Sequence, residues 1–402
     1  MVSTATVLAE WAAHLSPNPE DLALAQRALL DTAAVALAAR DDAIVPVVSG
    51  LPDAARWAAI GHVLDFDDLH TQSTTHISVV VVPAVLSTGG DARAYLAGAG
   101  VMARLGTLLG WPHYSSGWHA TCTAGAPAAA VAAGVAMGLS VPQLATAMAL
   151  AVPAAGGVQQ AFGTHGKSLQ VGFAAQAGVR AARLARAGAT AAPEALDAWI
   201  SLVGGHPDAL ELGGPAVPGG LAIKVFPCCY AMQRPIAAVR AVLDQVRGPV
   251  DRVLVRTSKA SVHPLIHDRP RTGLEGKFSM PYAIATALLD PYPGFESFTD
   301  EAVNRAEARS LVERVVTEYE PGGDGLLTGE VDIDIRCTDG APVRSRLTAP
   351  PGAPNRPPTD AEFAGKLNAC GADVPALLAD ATWPSVGKVF RRAFPRDAEA
   401  HA

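Results

Sequence analysis

Polar side chains that can move protons are concentrated in a few short segments of an otherwise apolar chain. The first segment is residues 62–70 (HVLDFDDLH), and it is followed closely by His76. A carboxylate beside a histidine can orient the imidazole as a general base or help to build a local charge array. The same pattern also fits a helix end with capping aspartates and hydrogen-bonded buried histidines. The pattern alone leaves both interpretations open.

Two further segments place an imidazole or a cation near the start of a helix. Residues 111–125 (WPHYSSGWHATCTAG) form a loop with His119 that leads into small residues, and a helix N-terminus there can bind a carboxylate. The alternative is an exposed loop anchored by its tryptophans. Residues 163–168 (GTHGKS) lack the full GxxxxGK[ST] spacing and follow no apolar strand, so nucleotide binding is disfavoured. Lys167 in this segment still suits a carboxylate.

The fourth segment, residues 224–230 (KVFPCCY), lies where the sequence changes from an Ala- and Leu-rich helical half to a part with strand signals. Small-ligand sites often form in clefts between domains. A zinc interpretation would recruit Cys228, Cys229, His263 and His267. However, adjacent cysteines rarely bind one ion, and the chain has no CxxC or HExxH motif, so we expect no metal. The cysteines can equally be small packing residues.

The motifs of several large enzyme classes are absent from the sequence. The chain has no GxSxG, no GxGxxG after a strand and no Cys–His signature, so nucleophilic and hydride chemistry lack support. What is left is a set of His, Lys and Asp residues with no evident cofactor. That set suits proton transfer on an anionic molecule, with fixed cations stabilising the developing charge.

Composition limits the class of protein further. The 402 residues are 50% hydrophobic and 17% charged, which excludes a disordered chain, and the net charge of −7 disfavours nucleic acid and anionic membranes. Residues 128–152 are interrupted by polar residues and predict two buried helices, not a membrane span. Five cysteines without a regular framework indicate reduced thiols in a cytoplasmic protein, and an N-terminus that contains Glu10 does not predict a signal peptide.

The pattern of elements predicts a mostly α-helical protein with an inserted α+β domain. Helix signals fill the first half, and strand signals appear after a Gly/Pro-rich segment at 213–220. The later elements are a helix at 231–246, a strand at 250–256, a hairpin at 330–348 around Asp339-Gly340, a Pro-rich linker at 349–358 and short helices at 360–381. We therefore predict a helical domain at 1–220, a small α/β domain at 221–350, and a return to the helical domain at 351–402.

Six segments, in this order, resemble the motifs of the MmgE/PrpD family. They are LLDT (29–32), HxLDFDD (62–68) with His76, GxHxTxTAG-like (117–125), GTxxK-like (163–167), KxxPCC (224–229) and RTGLEGKFSxxY (271–282). The resemblance implies a large helical domain and a smaller inserted α/β domain, in a homodimer without metal or organic cofactor. The family's activities are 2-methylcitrate dehydration, cis-aconitate decarboxylation and iminodisuccinate epimerisation, all on small polycarboxylates.

The resemblance also implies a set of site residues. The catalytic positions are His119, His76, Asp65, Lys224 and Tyr282, and the substrate-binding positions are Lys167, Lys277, Arg271, Asp68 and Thr121. His119 is the expected acid/base at the substrate carbon, and His76 is a second proton carrier or an anion contact. Asp65 would orient a histidine or lysine, Lys167 and Lys224 would bind carboxylates, and Tyr282 would donate a hydrogen bond. Helix capping, surface exposure and plain core packing are the alternatives.

Several positions depart from the family pattern. Leu69 stands where a threonine is frequent, Gln170 and Gln233 stand where histidines are common, and Ala237 replaces an acid. The leading hypothesis is a cofactor-independent lyase that removes a proton alpha to a carboxylate and expels water or CO₂. An epimerase of a small dicarboxylate and a non-catalytic anion-binding dimer are the alternatives.

Overall fold

The computed structural model describes residues 2–339 and 341–397, which form helices and one small sheet. The helices are α1 Thr4–His14, α2 Pro19–Ala38, α3 Ile44–Val48, α4 Asp53–Val63, α5 Ser78–Thr88, α6 Ala92–Ser115, α7 Ala120–Ala136, α8 Val141–Ala151, α9 His165–Arg186, α10 Ala195–Leu202, α11 Tyr230–Arg240, α12 Gly273–Gly276, α13 Met280–Leu289, α14 Asp300–Asn304, α15 Ala306–Arg314, α16 Asp360–Ala369, α17 Val374–Leu377 and α18 Trp383–Ala393. The strands are β1 Val250–Ser258, β2 Val315–Glu320, β3 Val331–Cys337 and β4 Val343–Leu347. Among the described helices, none combines the length and the apolar character needed to cross a bilayer.

The large helical body is built around α7, which packs against α6 and α9. Its first fifteen residues are all buried, as expected for a helix that is apolar on every side. Small residues let the helices approach closely: a Cβ on Gly178 of α9 would lie 2.5 Å from the Cβ of Ala129. The Ala- and Gly-rich composition of this half is therefore a packing requirement.

The C-terminal helices return to the helical body. The Phe390 ring of α18 packs edge-on against Trp57 of α4, with ring centroids 5.5 Å apart, and Trp383 packs against Tyr95 of α6. Arg40 beyond α2 forms an ion pair with Asp373 beside α17. Both ends of the chain therefore contribute to one hydrophobic core.

A second hydrophobic core surrounds the sheet, whose strand order is β2-β1-β3-β4. Strands β1 and β2 are parallel, whereas β3 is antiparallel to both β1 and β4. Alternating side chains such as Val253, Val255, Ile333 and Ile335 point into this core and pack against α11, α13 and α15. The mostly helical fold with a small α/β part is thus confirmed.

The elements predicted for this second part are largely present. The strand at 250–256 lies within β1, and β3 and β4 are the arms of the hairpin, although Gly340 at its centre lies outside the described residues. The helix expected at 231–246 ends at Arg240 and is followed by a 3₁₀ turn at Leu243–Gln245. The domain boundaries at 220 and 350 stay a prediction.

Candidate active site

The site begins where α4 ends, at the turn formed by residues 64–67. Asp65 has a φ of +53°, in the left-handed region that aspartate tolerates better than most non-glycine residues. This reversal turns the chain back on the helix, so that Asp67 Oδ2 accepts a 2.9 Å hydrogen bond from His62 Nδ1. The turn therefore places two buried carboxylates and a histidine side by side.

Two lysines from distant parts of the chain meet on Asp65. Lys167, in the first turn of α9, and Lys224, from the segment that connects the two cores, each place Nζ 2.9 Å from Asp65 Oδ1. Lys224 Nζ also donates to the Asp65 carbonyl at 2.8 Å and is fully buried. Burial alone would raise the pKa of Asp65, but the two ammonium groups outweigh it and hold that pKa well below its usual range. Asp65 and Asp67 outweigh burial at Lys224 and raise its pKa, so Lys224 is charged.

The departures at 69 and 233 hold Lys224 in place through the backbone. Leu69 and Ala222 exchange two backbone hydrogen bonds of 3.0 and 2.7 Å, which bring the segment before Lys224 onto the turn of Asp65. The amide of Gln233 accepts from Phe226 N at 3.0 Å and donates to Phe226 O at 2.8 Å. Leu69 and Gln233 therefore both fix the backbone of the segment that carries Lys224.

His62 and His76 share Asp67. Lys167 Nζ lies 2.6 Å from His62 Nε2, so that nitrogen accepts and His62 Nδ1 carries the proton donated to Asp67. His76 Nδ1 lies 3.0 Å from the same Asp67 oxygen. Burial lowers the pKa of His76 to about 4 although Asp67 opposes it, so this histidine is neutral at pH 7. The carboxylate favours the proton on Nδ1, which leaves Nε2 as the basic nitrogen.

His119 stands at the N-cap of α7, with its backbone N–H bound to Gly157 O at 2.9 Å. Its Nδ1 accepts from Gln170 Nε2 at 2.7 Å and lies 3.3 Å from Cys122 Sγ. Burial, followed by the charge of Lys167, holds the pKa of His119 well below its usual value. His119 is therefore a neutral imidazole.

These groups surround a small cavity between the two cores. Asp65, His76, His119 and Lys167 line it, and apolar and aromatic side chains that include Tyr230, Pro264 and Leu326 close it. Its volume is about 20 Å³, enough for about one water molecule. A six-carbon carboxylate can enter only if some of the closing side chains move.

Three other residues expected at the site support it without lining the cavity. Lys224 lies behind Asp65, and Thr121 Oγ1 accepts a hydrogen bond from His76 N at 3.0 Å. Lys277 Nζ donates to Leu64 O at 2.6 Å, and burial lowers its pKa to about 8.

The remaining three expected residues lie elsewhere. Both Asp68 oxygens accept from Ser78, one from the backbone N–H at 3.2 Å and the other from the hydroxyl, and burial and Asp31 raise the pKa of Asp68 to about 7. Tyr282 OH donates to Ser297 O at 2.5 Å inside the small core. Arg271 is exposed on the surface. The geometry gives these three no contact with the cavity.

The sequence did not single out two members of the site, His62 and Asp67, as site residues. Both stand in the motif that was recognised, but their pairing depends on the left-handed conformation of Asp65, which the sequence does not reveal. Gln170 was noted only as a departure, yet its amide contacts His119 directly.

One group of side chains in the described part of the chain has metal-like spacing. His62, Asp65, Asp67 and His76 each place a ligand atom within 4.8 Å of the others. Lys167 already occupies both His62 Nε2 and Asp65 Oδ1, so an ammonium charge stands where a cation would bind. These residues suit an anion better than a metal ion. Within the described residues, the set Cys228, Cys229, His263 and His267 forms no such cluster.

Comparisons with known proteins agree with the motifs. Residues 51–200 match the MmgE/PrpD N-terminal domain, and residues 226–379 match the MmgE/PrpD C-terminal domain. A cis-aconitate decarboxylase of Aspergillus terreus is 25% identical in an alignment 346 positions long that covers 74% of this chain and 69% of the relative. The cis-aconitate decarboxylase of Mus musculus is 25% identical in an alignment 345 positions long that covers 77% of this chain and 69% of the relative. The cis-aconitate decarboxylase-like protein oryM of Aspergillus oryzae is 24% identical in an alignment 362 positions long that covers 77% of this chain and 73% of the relative.

Proposed function

Since the chain belongs to the MmgE/PrpD family, as its motifs predicted, we propose that it is a cofactor-independent lyase of a small polycarboxylate. The observation that carries the proposal is the junction of Lys167 and Lys224 on Asp65, beside the neutral histidines His76 and His119. Relatives named cis-aconitate decarboxylase support loss of CO₂, and loss of water is the other reaction of this type.

The charges around the cavity favour an anionic ligand. Lys167, Lys224 and Lys277 supply three ammonium groups, whereas Asp65 and Asp67 supply two carboxylates. Buried charge without a partner is costly, so a substrate carboxylate that completes the balance is bound favourably. The chain has a net charge of −7, so the molecule as a whole repels an anion. The three lysines are therefore the local cations that attract such a substrate.

The two histidines can divide the chemistry of a lyase. In a dehydration, His76 Nε2 takes the proton alpha to a carboxylate, and the electron pair moves onto the carboxylate oxygens. Lys167 and the N–H of His119 donate hydrogen bonds to that growing charge. The pair then returns to form the alkene as the C–O bond breaks, and the hydroxide leaves as water with the proton that His76 Nε2 took up. In a decarboxylation, the carbon–carboxylate bond breaks and CO₂ leaves, and its electron pair stays on the remaining carbon under the stabilising charge of Lys167. The Nε2 proton of His119 is then transferred to that carbon, and solvent replaces it.

The names of the relatives favour a lyase over an epimerase. Epimerisation needs a proton carrier on each face of one carbon. His119 accepts a hydrogen bond at Nδ1, so its Nε2 carries a proton, and with His76 as the base it could also form such a pair, which keeps the epimerase as the alternative. The homodimer and the cytoplasmic location are further proposals, which rest on the family resemblance and on the cysteine pattern.

Proton NMR in D₂O tests the proposal with citrate, 2-methylcitrate, cis-aconitate and an aspartate-derived imino-diacid. A new alkene or a lost carboxylate carbon is the expected result. Lys224→Ala and His119→Ala should abolish that turnover, whereas Lys388→Ala, at an exposed lysine of α18, should keep it. Deuterium at the alpha carbon without other change would instead establish an isomerase. Binding without any turnover would establish an anion-binding protein.

A further inference from the structure

We infer that Gln170 is a positioning residue that fixes the proton of His119 on Nε2. His119 then acts as a neutral hydrogen-bond donor and not as an imidazolium. The part that this donor takes in turnover rests on the proposed function, but the position of its proton does not. No family motif marks Gln170 for this task, and the inference comes from its contacts alone.

The orientation of the Gln170 amide is fixed by the backbone of Val158. Its Oε1 accepts from Val158 N at 3.1 Å, and its Nε2 donates to Val158 O at 3.2 Å. If the amide were flipped, its NH₂ group would face the N–H of Val158 and its oxygen would face the carbonyl of Val158, so both hydrogen bonds would be lost. The NH₂ group must therefore face His119 Nδ1, which lies 2.7 Å away.

The segment that holds Val158 is itself tied to the histidine. His119 N donates to Gly157 O at 2.9 Å, and Gln159 N donates to Gly117 O at 2.8 Å. A side chain on Gly157 would contact both Gln170 Oε1 and Cys122 at about 3 Å, which leaves little room for the amide to turn. Imidazole and amide are thus held in one rigid frame.

The other groups near the ring also disfavour a second proton. Cys122 Sγ lies 3.3 Å from Nδ1, and burial raises the pKa of this thiol, so it stays a donor and not a thiolate. The charge of Lys167 lowers the pKa of His119. Burial lowers the pKa of His62, which stacks 5.9 Å away, and His76 is neutral. Among these neighbours the carboxylate is Asp65, which is engaged by two lysines.

A neutral imidazole N–H suits a lyase intermediate. It can polarise a carboxylate as charge develops without transferring its proton irreversibly to the oxygen. Removing one such donor typically costs about 10²–10³ in kcat. A carboxylate at position 170 would reverse the arrangement, since it can only accept and would draw a proton onto Nδ1.

Nitrogen-15 NMR of histidine-labelled protein, without substrate, tests the position of the proton. The His119 signals are assigned by their loss in His119→Asn. In the wild type, His119 Nδ1 should be unprotonated and Nε2 protonated from pH 6 to 8. Gln170→Glu should protonate Nδ1, whereas Gln143→Glu, which keeps the capping box of α8, should leave the His119 signals unchanged.

Two results would overturn the inference: a protonated Nδ1 in the wild type, or wild-type signals in a folded Gln170→Glu. The wild-type measurement needs only the assignment variant His119→Asn, so it stands even if Gln170→Glu does not fold. In turnover, kcat of Gln170→Glu relative to wild type should rise as pH falls from 8 to 6, because the imidazolium regains the Nε2 proton. The predicted proton position in a protein without turnover would contradict the lyase and leave the inference intact.

Discussion

Removing the charge of Asp65 tests whether this carboxylate is what allows two lysines to be buried. Asp65→Asn is the informative change, because asparagine tolerates the φ of +53° and so isolates the charge from the backbone. Lys167 and Lys224 would then be two buried ammonium groups without their carboxylate. Breaking one buried pair typically costs about 3–5 kcal/mol, so we expect a loss of at least that size in the free energy of unfolding at pH 6.5.

The pH dependence of this loss has a definite sign. In the wild type, the lowered pKa of Asp65 keeps its contribution present throughout pH 6 to 10. In Asp65→Asn, only Asp67 of the two carboxylates Asp65 and Asp67 still opposes burial at Lys224, so the pKa of Lys224 in the folded state falls and the unfolded chain binds more protons. Stability of the variant therefore rises with pH, and its deficit should shrink towards the ordinary lysine pKa of about 10.4.

Urea unfolding followed by tryptophan fluorescence is the assay. Four of the six tryptophans, Trp11, Trp57, Trp199 and Trp383, pack in the helical core, whereas Trp111 packs against His263 of the second part. The signal therefore reports chiefly the helical core. The matched control is Glu20→Gln, which removes an exposed carboxylate from the first turn of α2 and should cost less than about 1 kcal/mol. The reasoning is refuted if Asp65→Asn loses no more than this control, or if its deficit is the same at pH 6.5 and 9.5.

Four other substitutions test other parts of the structure. Gly178→Ala should lower the free energy of unfolding in urea by about 1–3 kcal/mol, because its Cβ would overlap Ala129. Gly365→Ala in α16 should raise it by about 0.5–1 kcal/mol, because a Cβ there has no neighbour within 4 Å. Substrate KM should rise above pH 8 as Lys277 loses its proton, and Lys277→Met should raise KM at pH 7 and remove that pH dependence; a flat wild-type profile would contradict the role of this charge. Asp68→Asn should be more stable than wild type in urea at pH 8, since a folded pKa of about 7 makes the wild type lose stability as pH rises from 4 to 7; equal slopes for both proteins over that range would exclude this.

Local signals in the sequence were enough to predict most of the fold. The helix signals of the first half include Asn18 and Ser140, which cap α2 and α8 in capping boxes, and the period-two pattern at 330–348 forms β3 and β4 as predicted. The parallel pairing of β1 with β2 was not predicted. It joins residues about sixty positions apart, and no turn signal marks a pairing of that kind.

The sequence predicted which residues belong to the site better than it predicted the contacts between them. Motifs placed Asp65, His76, His119 and Lys167 together, and all four line the cavity. Tyr282 and Arg271 belong to a matching motif, but the orientation of α13 directs the tyrosine to Ser297, and the arginine is exposed before α12. A motif specifies which residues are present, whereas the direction of a side chain depends on tertiary packing that one sequence does not show.

The lysines also determine which part of the molecule can open. Lys224 and Lys277 reach from the second part of the chain to the turn at Leu64 and Asp65, so pulling the two cores apart would strand buried charges in a medium of low dielectric. The floor of the cavity is therefore stiff. Pro264, Leu326 and Tyr230 form the rim of the cavity and carry no such tie to Asp65 among the described contacts. Substrate exchange should accordingly be a movement of the rim over a fixed floor, with the catalytic charges already aligned before any ligand arrives.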